Sequence, residues 1–250
     1  MFQGFTDETF EFFMAIRFNN NADFFHDNHD WYMRAVRRPC VELAGALSEV
    51  IQSIDESLDC RPNRVVSRIN RDIRFSNDKS PYRDHIWLGY HRMIDAPRDR
   101  RHIDPTLFTP GFYFEIRAEG GFCGMGMYNE NRPLMNGLRR RMVNEPEAFL
   151  ERLRPVRDEF PAWLRSFKRM KRPEGLSPEL AEWYPVRSFY VEKSIPDFKL
   201  LKSPNLVDAL AADYRKLAPL YRYICETPPV PDEDKTKMDG TRANDADFRW

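Results

Sequence analysis

The chain has 250 residues, in which 39 Lys and Arg balance 39 Asp and Glu. A formal charge of zero excludes a global field drawing the protein to nucleic acid or an anionic membrane, so any anion site must be local. A hydrophobic share of 42% excludes a disordered chain, and a length near the ceiling for one core predicts a single domain over 1–226 followed by a polar, Pro/Asp-rich tail over 227–250.

In chain order, Thr6 followed by Asp7, Glu8 and Thr9 opens a helix, with Phe10, Phe13, Met14 and Phe18 near helical spacing; Asn19, Asn20 and Asn21 stop it. A second helical stretch from Ala22 to Phe25 onward carries HDNHDWYMRAVRR to Pro39, and Val41, Leu43, Ala44, Leu47, Val50 and Ile51 continue the pattern. Pro39 either kinks one long helix or opens a new one.

From Pro62 the period changes to two. In RVVSRINRDIRFS one face carries Val65, Ser67, Ile69, Arg71, Ile73 and Phe75; the other carries Val66, Arg68, Asn70, Asp72, Arg74 and Ser76. SNDKSP supplies turn residues, and YRDHIWLGYHR is expected to be the next strand. A long loop is expected over 93–110, then a hairpin of GFYFEIRA and GFCGMGMY about a Glu119-Gly120-Gly121 turn.

The run after Pro133 predicts two helices divided at Asn144 to Pro146, with Asn144 capping the second. A basic excursion, SFKRMKRPEGLSPEL, leads to a last strand, RSFYVEKSI, and a last helix capped at Ser203 with Pro204 at its first position. Helices, then strands, then helices imply α+β, with a mainly antiparallel sheet of about five strands packed by helices from both ends of the chain. Phe248 and Trp250 end the tail and can dock on this chain or a neighbour.

Cys40, Cys60, Cys123 and Cys225 never form CxxC, which predicts buried free thiols rather than a zinc ribbon or redox pair. No run of about eighteen apolar residues occurs and MFQGFTDETFEFF lacks the marks of an export signal, so the expected location is the cytoplasm, with no membrane partner.

The densest polar string runs from Arg68 to Arg83. RDIRFSNDKSPYR resembles the signature of a bacterial and fungal family known as domain of unknown function 2461. The resemblance extends to Asn19-Asn20 and the following FF…WY helix, to PGFYFEI…GMGMY and to the LRRRM helix, spanning roughly residues 2 to 224. It implies one α+β domain and singles out the same loop, without implying an activity or cofactor. Phe24 stands where the family usually has tryptophan.

Chemically, Arg68, Asp72 and Arg74 share one strand face within about 7 to 14 Å. With Lys79 and Arg83 from the turn, and hydroxyls from Ser76 and Tyr82, they form a candidate anion cradle for a phosphorylated small molecule or nucleic-acid backbone. Arg71 joins the ligand set from the apolar side, and Asp72 and Asp78 are the candidate general bases. The same inventory equally describes an Arg/Asp salt-bridge network pinning the loop.

Three further features have bland counterparts. Gly124 and Gly126 lie within a strand, where glycine marks close approach of a backbone or ligand. His26 and His29 can chelate at i, i+3, but no third ligand is identifiable, so no metal is expected. The basic 132–172 region, with Arg139, Arg140, Arg141, Arg165, Lys168, Arg169, Lys171 and Arg172 around Trp163 and Phe167, suits either single-stranded nucleic acid or a solvated helix face. Two functions follow. The first is a protein that binds, and can act on, an anionic small molecule at Arg68–Arg83. The second is a non-enzymatic interaction protein whose partner or nucleic-acid contact is the basic region.

Overall fold

A computed structural model describes residues 1–74, 77–92 and 108–231. The amino-terminal helices are α1 (Asp7–Phe18), α2 (Ala22–Asp27), α3 (His29–Tyr32), α4 (Arg38–Ala46), α5 (Ser48–Ile54) and the short α6 (Pro62–Val65). The start of α1 follows its sequence: Thr6 N–H donates to Thr9 Oγ1 at 3.2 Å, with Asp7 and Glu8 at the positive end of the helix dipole. Pro39 sits in the first turn of α4, immediately after a π-helical turn over Met33–Arg37. There the Arg38 N–H reaches back to the Met33 carbonyl, so the chain stays helical and changes its winding ahead of the proline that lacks an N–H.

The strands are β1 (His85–Tyr90), β2 (Gly111–Arg117), β3 (Gly120–Met127), β4 (Ala162–Ser166) and β5 (Val186–Ile195). They form one antiparallel sheet in the order β1-β2-β3-β5-β4. Helices α7 (Arg132–Asn144) and α8 (Pro146–Arg157) precede β4, α9 (Pro178–Trp183) precedes β5, and α10 (Phe198–Leu201) and α11 (Leu206–Cys225) close the domain. This is the expected α+β class and antiparallel sheet of five strands, with one expected strand missing and an unexpected one present.

RVVSRINRDIRFS is not a full strand. Over its described residues it is an extended ribbon tied to 81–88 by bridges at Val66–Leu88 and Asn70–Tyr82. Its outer carbonyls are satisfied by guanidinium groups instead of by another strand: Arg37 donates to the carbonyls of Val66 and Ser67, and Arg83 to those of Arg68 and Asn70. The missing strand is β4, which lies just ahead of the basic excursion and shares only Ser166 with it. An edge strand with Trp163 exposed carries no buried alternation to announce it.

Smaller differences have local causes. The hairpin turn is Ala118-Glu119, because Arg117 already pairs with Gly120. Glu145, not Asn144, flanks α8, whose first position is Pro146. The last helix starts after Asn205; Ser203 Oγ accepts from Asn205 N–H at 3.1 Å and shapes the preceding turn.

Register assigns the sheet faces. Ile86, Leu88 and Tyr90, Phe112, Phe114 and Ile116, Cys123 and Met125, and Val191 are buried on the inner face. Helix α11 covers it: Phe112 meets Tyr214 and Tyr221 with ring centroids 5.2 and 4.8 Å apart, and Tyr214 donates to the Tyr113 carbonyl at 3.1 Å. Thr227–Val230 do not leave the domain, since Val230 N–H bonds the Pro133 carbonyl at 2.8 Å and Thr227 is buried. Residues 93–107 of the long loop expected over 93–110, and the tail from 232, with Phe248 and Trp250, lie outside the described residues. Among those residues no helix is long and apolar enough to cross a membrane.

Candidate functional site

The ribbon over 66–74 and its return over 77–88 carry most of the predicted site. Alternation holds: Ile69 is buried and Arg71 partly so, whereas Arg68, Asn70, Asp72 and Arg74 are exposed. Ribbon and return are joined by Arg71 N–H to the Pro81 carbonyl (2.9 Å) and Arg83 N–H to the Ile69 carbonyl (2.8 Å). Ser67 accepts Trp87 N–H on its hydroxyl at 3.1 Å. Tyr82 locks the return to the helices: its ring stacks on Phe25 at 4.3 Å, and its N–H and carbonyl both bond the Asn20 amide at 2.9 Å. Asn20 thus acts as a one-residue strand. Asn20→Ala is expected to lower stability by about 1–3 kcal/mol, read by urea unfolding, because both backbone groups lose their partner.

The charged groups fall into two kinds. Asp72 accepts from Arg74 at 2.8 and 2.6 Å, and Asp78 from Arg71 and from Ser80 N–H. Arg74 pulls the Asp72 carboxyl down to about 2, and Arg71 depresses Asp78 further. Carboxylates held ionised in this way are weak proton acceptors at neutral pH. Lys79 donates to the Ile73 carbonyl at 2.9 Å, and Arg83, its guanidinium 4.7 Å above the Trp87 ring, bonds two carbonyls. Neither cation has a carboxylate partner among the described residues, and the exposed Arg68 side chain has no hydrogen-bond or ion-pair partner there. Ser76 lies outside the described residues.

The other sequence candidates separate as follows. His26 and His29 are exposed, and among the described residues no group of three His, Cys, Asp or Glu is arranged around a metal position. All four cysteines are free; Cys40 and Cys123 are buried, and burial pushes the Cys40 thiol up to about 12. In the basic region Arg139 is buried on main-chain carbonyls, Arg141 donates to Tyr223 and Thr227, Arg154 and Arg157 meet Glu179, and Arg172 bonds the Ala181 carbonyl. Phe167 is taken from within the chain, facing Arg132, Arg139 and Arg187 at 6.0, 5.6 and 5.7 Å.

A polar surface that the motif search missed lies on the outer sheet face. Tyr113 of β2 crosses above Gly124 to donate to Glu192 of β5, and Tyr190 packs edge-on against Tyr113 at 5.4 Å beside Gly126. The two glycines are therefore room for these rings and for backbone: a Cβ on Gly124 would stand 2.1 Å from the Val191 carbonyl oxygen. Burial raises the Glu192 carboxyl above its usual range. The glycine spacing was the one signal of this surface in the sequence, and it named no ligand group.

No curated protein and no solved structure matches the chain. A family model described as conserved hypothetical protein (DUF2461) matches residues 8–223, which take in every strand of the sheet and nearly all of α11. With most of its length inside that match, the chain belongs to the DUF2461 family.

Proposed function

We propose that this protein binds a phosphorylated or otherwise anionic small molecule on the exposed face of the 68–83 ribbon, through Arg68, Lys79 and Arg83. The observation that carries this is an imbalance: five cations, Arg68, Arg71, Arg74, Lys79 and Arg83, stand against two carboxylates, Asp72 and Asp78, which take Arg71 and Arg74. The paired residues brace the ribbon, and the unmatched three leave it locally positive in a neutral chain. Guanidinium and ammonium donors suit phosphate oxygens. Binding rather than catalysis is the favoured activity, since both ribbon carboxylates are held ionised by arginine.

A thermal-shift series with phosphate, nucleotides and sugar phosphates tests this, because a ligand specific to the native state raises its melting temperature. A phosphorylated compound should stabilise the wild type and not Arg68→Ala, whose melting point without ligand stays at the wild-type value. Arg71→Ala should melt lower with or without ligand. No shift with any phosphorylated compound contradicts the proposal. Lys168, Arg169 and Lys171 are exposed and carry no ion pair among the described residues, so short oligonucleotides belong in the same series as the test of the interaction-protein alternative.

A further inference from the structure

A groove of about 790 Å3 opens at the edge of the sheet, around the stretch of β5 that β4 does not cover, with α11 as one of its walls. Phe122, Trp163, Glu192 and Ser194 line it from the sheet, and Glu159 and Lys216 from its flank. Its size is that of a small-molecule site. Glu192 N–H bonds the Pro161 carbonyl at 3.1 Å where β4 begins; two residues on, the Ser194 main chain faces the same side with no strand beside it.

The charges in the groove are unequal. Lys193 lies between Glu159 (2.8 Å) and Asp213 (2.7 Å), and Lys216 returns to Glu159 at 2.8 Å, so both cations are already engaged. Glu192 differs from those carboxylates. It accepts from the neutral Tyr113 hydroxyl, with the Trp163 side chain also in reach; no ion pair reaches it among the described residues, and Arg117, which acts on it through space, is paired with Glu115. Beside it the Trp163 side chain is 59% exposed, an aromatic surface left in water at the groove. A carboxylate held by neutral donors next to an open indole is the arrangement that attracts an organic cation, through Coulomb attraction and the negative face of the ring.

From this geometry we infer that the groove is a second ligand site, for a small organic cation carrying an ammonium or guanidinium group, held by Glu192 and Trp163. An anion is disfavoured there, since the lysines that would receive it are engaged and Asp158, Glu159 and Asp213 also line the groove. The site is independent of the ribbon, which has the opposite charge.

Isothermal titration calorimetry of the full chain with agmatine and spermidine, and with hexanediol as an uncharged analogue, tests the inference. The amines should bind at low-millimolar concentration or tighter, and hexanediol should not. Glu192→Gln should weaken amine binding about tenfold or more, and Trp163→Ala, at an exposed position that leaves the fold intact, should weaken it several-fold. Binding of hexanediol as strong as that of the amines overturns the inference. So does full amine affinity in either folded variant, or no amine binding to the wild type.

Discussion

Replacing Arg139 by alanine is expected to destabilise the domain by about 3–5 kcal/mol, seen as a lower urea midpoint with an unchanged slope. The side chain is 7% exposed and donates to the Tyr184 carbonyl at 2.7 Å, the Val186 carbonyl at 2.6 Å and Asn136 Oδ1 at 2.7 Å. Those carbonyls lie where the chain turns from α9 into β5, and truncation strands the buried Val186 carbonyl and two half-buried acceptors. Lysine should not rescue the variant, because a compact ammonium cannot reproduce a planar fork aimed at three acceptors. A loss under about 1 kcal/mol would mean that the guanidinium is a surface group, as a solvated basic helix requires.

Gly124→Val is the second large effect, with an expected loss of at least about 2–3 kcal/mol in the midpoint of thermal or urea unfolding. Gly124 has no positive φ, so the penalty is one of space. A new Cβ would lie 2.1 Å from the Val191 carbonyl oxygen and 2.8 Å from Glu192 Cα, both backbone atoms that cannot swing aside. The β3–β5 pairing would have to open, and with it the Tyr113–Glu192 hydrogen bond. Gly126→Val should behave alike, since its Cβ would stand 2.3 Å from the Phe189 carbonyl oxygen. Unchanged stability in both variants would contradict the close approach of the strands.

Where the sequence was legible, one period of burial dominated. The hairpin of β2 and β3 and the helices α1, α7, α8 and α11 follow from apolar spacing and local capping chemistry, which act over a few residues. The ribbon misled for an instructive reason. Ile69 and Arg71 do alternate with exposed neighbours as in a strand, yet Arg37 and Arg83 take the carbonyls that a second neighbouring strand would have taken. Those partners come from an earlier helix and from across the turn, so no local pattern records them. β4 was hidden for the converse reason: as an edge strand it pairs through its backbone while Trp163 faces water.

The candidate site divides in the same way. Charge density at 68–83 was visible in the string itself, but which cations are neutralised depends on geometry. Arg74 pairs two residues back with Asp72 and Arg71 pairs across the turn with Asp78, leaving Arg68, Lys79 and Arg83 without carboxylates. The groove was beyond sequence reasoning, because Phe122, Trp163 and Glu192 come from three strands.

The most direct test of the ribbon's division into carboxylate-paired and carboxylate-free cations is calorimetric titration of inorganic pyrophosphate into the wild type and the Arg68→Ala/Lys79→Ala double variant. The account predicts binding by the wild type that weakens about tenfold or more in the double variant and also weakens with added salt, while both proteins stay folded without ligand. Equal pyrophosphate affinity in the two proteins, or no binding by the wild type, would contradict it.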